Sequence, residues 1–438
     1  MRDITKSYHF TTINELQQKY PFINWLKFVR TRVPEQIAID DTEEVLYLGV
    51  DYLAKFGELI ESTPKRTVAN YLFWRIADLS VNFLSKNLRV IKLKFYQELS
   101  GIRNLEEEWK TCVTSVLNLK HAVNAMYTQQ KIQIKDKDEA VKIVESLRET
   151  VKQLTDQSSW MDANEKDAVQ KMLDEIRMLV GFPNEYFNDT LLIEYHNDLT
   201  LGDNITYFNA ILEMKKFSIA KIYKTLRENV DDSEWESISD ITDVDSTFTS
   251  TNSFISLPVA YLRSPFYSAN TQAYLNYAGL GVDAGYLISY AVDNMMLSLK
   301  STFYKNTTSC VVEQYEKYMK DVHNLTINAS DASRKLMSAN GSFKVGYHSF
   351  KRWQKSNSLA RKLPGLNYTP EQLYWIASAQ MHCNKDRPEE FIRRASVNDH
   401  AVEQFRVIGS FQNLPEFSED FNCALGSYMN PVEKCQIF

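Results

Sequence analysis

Asn276-Tyr-Ala-Gly-Leu-Gly-Val-Asp-Ala-Gly-Tyr-Leu-Ile-Ser-Tyr-Ala-Val-Asp293 forms the heart of the most apolar long segment in the chain. From Val282 to Leu297 its only charges are Asp283 and Asp293. A bilayer span needs about 20 mostly apolar residues, and here two acids interrupt a shorter run, so the segment reads as a helix buried in a protein core. Upstream, Ser253-Phe-Ile-Ser-Leu-Pro258 is a strand candidate, followed by Ser264-Pro265 and the aromatic pair Phe266-Tyr267. Downstream, Thr369 with Pro370 at the first helical position and Gln372 two residues later marks another helix start.

Helical spacing continues into the first half. Val141, Val144, Leu147, Val151 and Leu154 recur at three and four residues, an apolar stripe on a charged helix. Asp162 and Glu165 form a capping-box signature before Val169, Met172, Leu173, Ile176 and Val180, and Gly181 with Pro183 is expected to stop that helix. The polar, acidic stretch from Asp231 to Asp245 is expected to separate two lobes, 1–231 and 232–438.

The chain has 438 residues, 44% hydrophobic and 12% aromatic, enough for more than one core, and its 13 glycines favour helices over tight-turn architectures. Net charge is −6 with no long basic block, which argues against nucleic acid as a partner. Met1-Arg-Asp-Ile-Thr-Lys6 shows no apolar signal-peptide core. Sequons at Asn188, Asn204, Asn306, Asn324, Asn328, Asn340 and Asn367 are glycosylation candidates and hint at an extracellular setting. The five cysteines, Cys112, Cys310, Cys383, Cys423 and Cys435, include no CxxC pair, which excludes a zinc knuckle or a thioredoxin-type motif.

Several strings, in order along almost the whole chain, resemble the neprilysin and endothelin-converting-enzyme (M13-type) family. They include Pro21-Phe-Ile-Asn-Trp25, Thr63-Pro-Lys-Arg-Thr-Val-Ala-Asn-Tyr71 and Trp160-Met-Asp162. Later ones are Leu363-Pro-Gly-Leu-Asn-Tyr-Thr-Pro370, Phe405-Arg-Val-Ile-Gly-Ser-Phe-Gln-Asn413 and Tyr428-Met-Asn-Pro431. The resemblance implies a mostly α, two-lobed ectodomain, with a helical lid lobe and a thermolysin-like α+β C-terminal lobe. It begins well inside the family's ectodomain, so a membrane anchor and the first ectodomain part have no counterpart here. It implies a disulfide between Cys310 and Cys435. The partners of Cys112, Cys383 and Cys423 would lie in that missing part. Either those three thiols are unpaired or the chain is a piece of a longer product, and truncation is the favoured reading.

The resemblance also places a zinc site, and the residues depart from it. Such a site needs His-Glu-x-x-His on one helix, two imidazoles on one face and a carboxylate to activate water. Within the surviving frame of Gly285 and Asp293, Tyr286 and Tyr290 stand at the histidine positions and Leu287 at that of the general base. Counting back from Gly341, Lys335 stands at the third-ligand position and Ala339 at that of its supporting acid. None of the seven histidines forms a substitute pair at ligand spacing. Tyr286, Leu287 and Tyr290 are expected to fill the vacated core, and Lys335 to pair with Asp293 in place of the metal's charge.

His400 and Arg406, six apart as in the family, match positions that there contact the oxyanion and the peptide backbone. Asp245-Ser246 replaces the family's Asn-Ala substrate clamp. These features imply a catalytically inactive homologue without a zinc cofactor, extracellular or at the cell surface, that binds extracellular peptides or an active relative. The alternatives are a rearranged zinc metalloendopeptidase and a structural ectodomain that binds another protein.

Overall fold

The computed structural model describes residues 9–228, 235, 244–357, 360–397 and 402–436. Much of the expected linker, Asp231 to Asp245, and His400 lie outside these residues. The chain divides into two compact units, one of Met1–Lys120 with Thr190–Asp231, the other of His121–Asp189 with Asp232–Phe438. A cut at 231 is thus joined by cuts at 120 and 189, inside the expected N-terminal lobe. No described helix is long and apolar enough to cross a membrane.

The first unit carries a two-stranded sheet of β1 (His9–Thr12) and β2 (Glu44–Tyr47), paired antiparallel. Its helices are α1 (Ile13–Lys19), α2 (Trp25–Arg30), α3 (Val50–Ser62), α4 (Lys65–Ser80), α5 (Lys86–Ser100), α6 (Glu108–Val116), α10 (Asp189–Tyr195) and α11 (Tyr207–Lys224). A small core gathers Ile13, Leu16, Tyr20, Trp25, Val33 and Ile39. By contrast α4 buries none of its residues and exposes Tyr71, Phe73 and Trp74.

The second unit holds the larger core. Its helices begin with α7 (Lys120–Lys131), α8 (Ile134–Gln157) and α9 (Ala163–Glu175). They continue with α12 (Ala273–Asn276), α13 (Val282–Ser298), α14 (Thr302–His323) and α15 (Ser333–Ser356). The last four are α16 (Pro370–Gln380), α17 (Pro388–Val397), α18 (Glu403–Asn413) and α19 (Pro415–Asp420). The apolar stripe of α8 buries Val144, Leu147 and Val151, and the helix packs on α13 and α15. Val141 and Leu154 sit at the edge of the stripe, half-buried. The capping boxes at Asp162/Glu165 and Thr369/Gln372 are both formed.

The expected end of the Asp162 helix needs correction. The helix stops at Glu175, and Arg177–Gly181 is a strand, β3. It runs parallel to β5 (Phe254–Pro258), which pairs antiparallel with the edge strand β4 (Thr247–Thr249). Ladder bonds to β5 outweigh the helical periodicity that Ile176 and Val180 continue, since short apolar runs suit either state. Gly181, at φ +83°, therefore ends a strand rather than a helix.

The segment read first as a buried helix is one. A π-helical turn at Tyr277–Gly281 leads into α13, which buries Leu287, Ile288, Ala291 and Val292. A Cβ on Gly285 would lie 3.2 Å from the Ser342 carbonyl oxygen, so glycine lets α13 and α15 cross closely. The disulfide Cys310–Cys435 ties α14 to the C-terminal segment. Cys112 and Cys383 are exposed thiols and Cys423 is half-buried.

Candidate functional site

Tyr286, Leu287, Tyr290 and Asp293 share α13, while Lys335 and Ala339 lie on α15, which packs against it. Leu287 is 4% exposed and fills core volume. The phenols do so differently from expectation. Their rings stack on each other at 6.3 Å, and each also carries a guanidinium. Arg406 lies 5.1 Å from the Tyr286 ring centre and Arg334 lies 4.4 Å from that of Tyr290. Phe248 of β4 meets Tyr290 edge-on. A guanidinium over a desolvated ring is attracted by the ring quadrupole, worth about 1–2 kcal/mol. The ring faces, not the core filling alone, tether these two side chains. Burial pushes the Tyr286 phenol up to about 12, against the pull of Arg406.

The cation that acts on Asp293 is Arg334, not Lys335. No ion pair joins Lys335 to Asp293 among the described residues. The buried Asp293 accepts from Ser338 Oγ at 2.5 Å and feels the Arg334 charge, yet burial dominates and raises its carboxyl to about 7. Arg334 also donates to Asn294 Oδ1 at 3.0 Å. Ala339 is buried and its carbonyl accepts from Ser342. Neighbouring positions on a helix point about 100° apart, so the phase of α15 turns Arg334 toward α13's acid.

Arg406, on α18, joins a polar group that the sequence did not reveal. Its Nη1 donates to both Glu403 oxygens, at 3.3 and 3.2 Å, and His382 Nδ1 lies 3.0 Å from Glu403 Oε2. Burial works to raise the Glu403 carboxyl, but the His382 hydrogen bond and the Arg406 charge hold it down at about 2. The Asp283 carboxyl faces the same charges and is raised by burial. Tyr261 donates to Ser246 Oγ at 3.3 Å, and burial with the Asp283 charge raises its phenol. Asp245 is exposed beside Ser246, at the entry to β4. The only sequence signal for this group was the three-residue spacing of Glu403 and Arg406. His382 is 21 residues from Glu403, a separation that carries no local signal.

Of the sequons, Asn340 is corrected. It is 1% exposed in the middle of α15, donates to the Leu336 carbonyl and accepts from Asn413, so an oligosaccharide cannot attach there in the folded chain. Asn188, Asn204, Asn306, Asn324, Asn328 and Asn367 are exposed.

Among the described residues, no group of three or more His, Cys, Asp or Glu side chains is arranged to hold a metal ion. Tyr286, Tyr290, Lys335 and Leu287 contribute two phenols, an ammonium and an aliphatic chain to this part of the fold.

Two sequence profiles of peptidase family M13 match the chain, over residues 1–183 and 245–437. Neprilysin-2 of Drosophila melanogaster is 29% identical over 462 residues, covering 100% of this chain and 60% of its own length. Human endothelin-converting enzyme 1 is 28% identical over 452 residues, covering 100% and 58%. The chain thus spans about three-fifths of the length of such relatives. The solved zinc metalloprotease ZMP1 of Mycobacterium tuberculosis, in complex with an inhibitor, superposes with a TM-score of 0.85 at 21% identity, covering 100% of this chain and 67% of that one. In sequence over both its halves, and in fold, the chain belongs to peptidase family M13.

Proposed function

We propose that this chain is an M13 homologue that does not hydrolyse peptides through zinc and instead binds a peptide or a protein partner, such as an active relative. One observation carries the reading: each phenol at a histidine-ligand position has a guanidinium stacked on its ring. A divalent ion placed between them would be repelled by both cations at short range in a poorly screened interior. The donor set itself does not fit zinc. Tyr286, with its phenol near 12, is neutral at physiological pH and a poor ligand, Leu287 has no proton acceptor, and Lys335 is a cation.

Two features support retained binding. β4 is an edge strand, and an extended peptide can add to such an edge through main-chain hydrogen bonds. Arg406 uses only Nη1 on Glu403 among the described residues, leaving other donors of its fork for a ligand carbonyl. The six exposed sequons support an extracellular or cell-surface, glycosylated protein.

The test is the zinc content of the purified chain by inductively coupled plasma mass spectrometry, after dialysis against trace zinc. Substoichiometric zinc is the expected result. One tightly held zinc per chain would overturn the proposal in favour of a metalloendopeptidase with unconventional ligands.

A further inference from the structure

A groove of about 410 Å³ runs between α8 and α15, within the second unit. On one wall α15 presents His348, Lys351, Arg352 and Lys355, spaced at zero, three, four and seven residues and therefore on one helical face. On the other wall α8 presents Thr150, Gln153 and Gln157. A Ser349–Thr150 hydroxyl bond of 2.8 Å pins the two helices together. Among the described residues no acid lines the groove itself.

Two of the basic groups are already matched, Lys351 by Glu371 at 2.7 Å and His348 by Glu416 at 2.8 Å. Arg352 and Lys355 have no ion-pair partner among the described residues. Nη1 of Arg352 has no hydrogen-bond partner among the described residues. Arg352 as a whole is half-buried, so its guanidinium fork enters the groove with donors unused by the described residues, and such a fork suits an oxyanion.

We propose that this groove binds a sulfated oligosaccharide. The stripe extends about 10 Å along the helix at 1.5 Å per residue, which suits a ligand bearing several tetrahedral oxyanions rather than a single ion. Amide and hydroxyl groups on the facing wall match sugar hydroxyls. Sulfate and phosphate esters share the oxyanion chemistry, so the experiment separates them.

The full chain is titrated calorimetrically with a heparin-derived tetrasaccharide at about 0.15 M salt, where distant surface charges are largely screened. Arg352→Gln/Lys355→Gln should weaken binding about tenfold or more. Lys142→Gln/Lys171→Gln, which removes the same charge from highly exposed lysines, should leave it unchanged. Thermal unfolding checks that the variants fold. Lys355→Gln alone, at an exposed position, should still show a severalfold loss. Equal losses in the two double variants, equal binding of the desulfated sugar, or no binding of the tetrasaccharide would each overturn the assignment. So would binding of tripolyphosphate in place of the tetrasaccharide.

Discussion

Replacing Asp293 by asparagine should stabilise the second unit, and more so at alkaline pH. Asp293 is 4% exposed and its carboxyl loses its proton near 7, against an ordinary value of 3.8. The folded chain therefore binds this proton more tightly than the unfolded chain, so stability falls as pH rises from about 3.8 to about 7 and then levels off. At about 1.4 kcal/mol per pH unit, this costs up to about 4 kcal/mol at pH 8, where the buried carboxylate is ionised, and up to about 2 kcal/mol at pH 5, where folding must take up a proton. Asparagine is isosteric, keeps an acceptor for Ser338 Oγ and carries no charge to desolvate. Its gain at pH 8 should exceed that at pH 5 by about 2 kcal/mol. Differential scanning calorimetry of the disulfide-intact chain at both pH values reads this as a larger rise in the melting temperature of the second unit's transition at pH 8. A variant no more stable than the parent at pH 8 would refute the reasoning, because it would mean that Arg334 and Ser338 fully offset the burial of the charge.

Two other outcomes follow from the same structure. Replacing Cys310 and Cys435 together by serine opens a covalent loop closed across 125 residues and should cost about 2–5 kcal/mol, seen as a lower denaturant midpoint; an unchanged midpoint would mean that the unfolded chain gains nothing from the opened link. Peptide mapping of the chain expressed through a eukaryotic secretory pathway should find glycan on one or more of Asn188, Asn204, Asn306, Asn324, Asn328 and Asn367 and none on Asn340, and an occupied Asn340 in folded protein would contradict the packing of α15.

Local chemistry was readable where short-range signals act alone. The capping boxes at Asp162/Glu165 and Thr369/Gln372 need only neighbouring residues, and both formed where the sequence put them. The helix through Leu287 and the strand ending at Pro258 were legible for the same reason, one from its apolar run and the other from a bounded β-prone segment. The disulfide between Cys310 and Cys435 was legible only through resemblance, since five cysteines allow many pairings.

The sequence by itself determined the family frame and which residues stand at the positions that the resemblance compares with a zinc site, because residue identity at Tyr286, Leu287, Tyr290 and Lys335 is a one-dimensional fact. Only the tertiary structure decided what those side chains meet. β3 exists because β5, far along the chain, offers it a ladder. Arg334 rather than its neighbour faces Asp293 because helix phase is fixed by packing on α13. His382 finds Glu403, Asn340 is buried despite its sequon, and the basic groups of α15 form one stripe rather than a run. In each case the deciding contact joins residues distant in the chain or sets which side of a helix they share, and that information resides in how the elements pack.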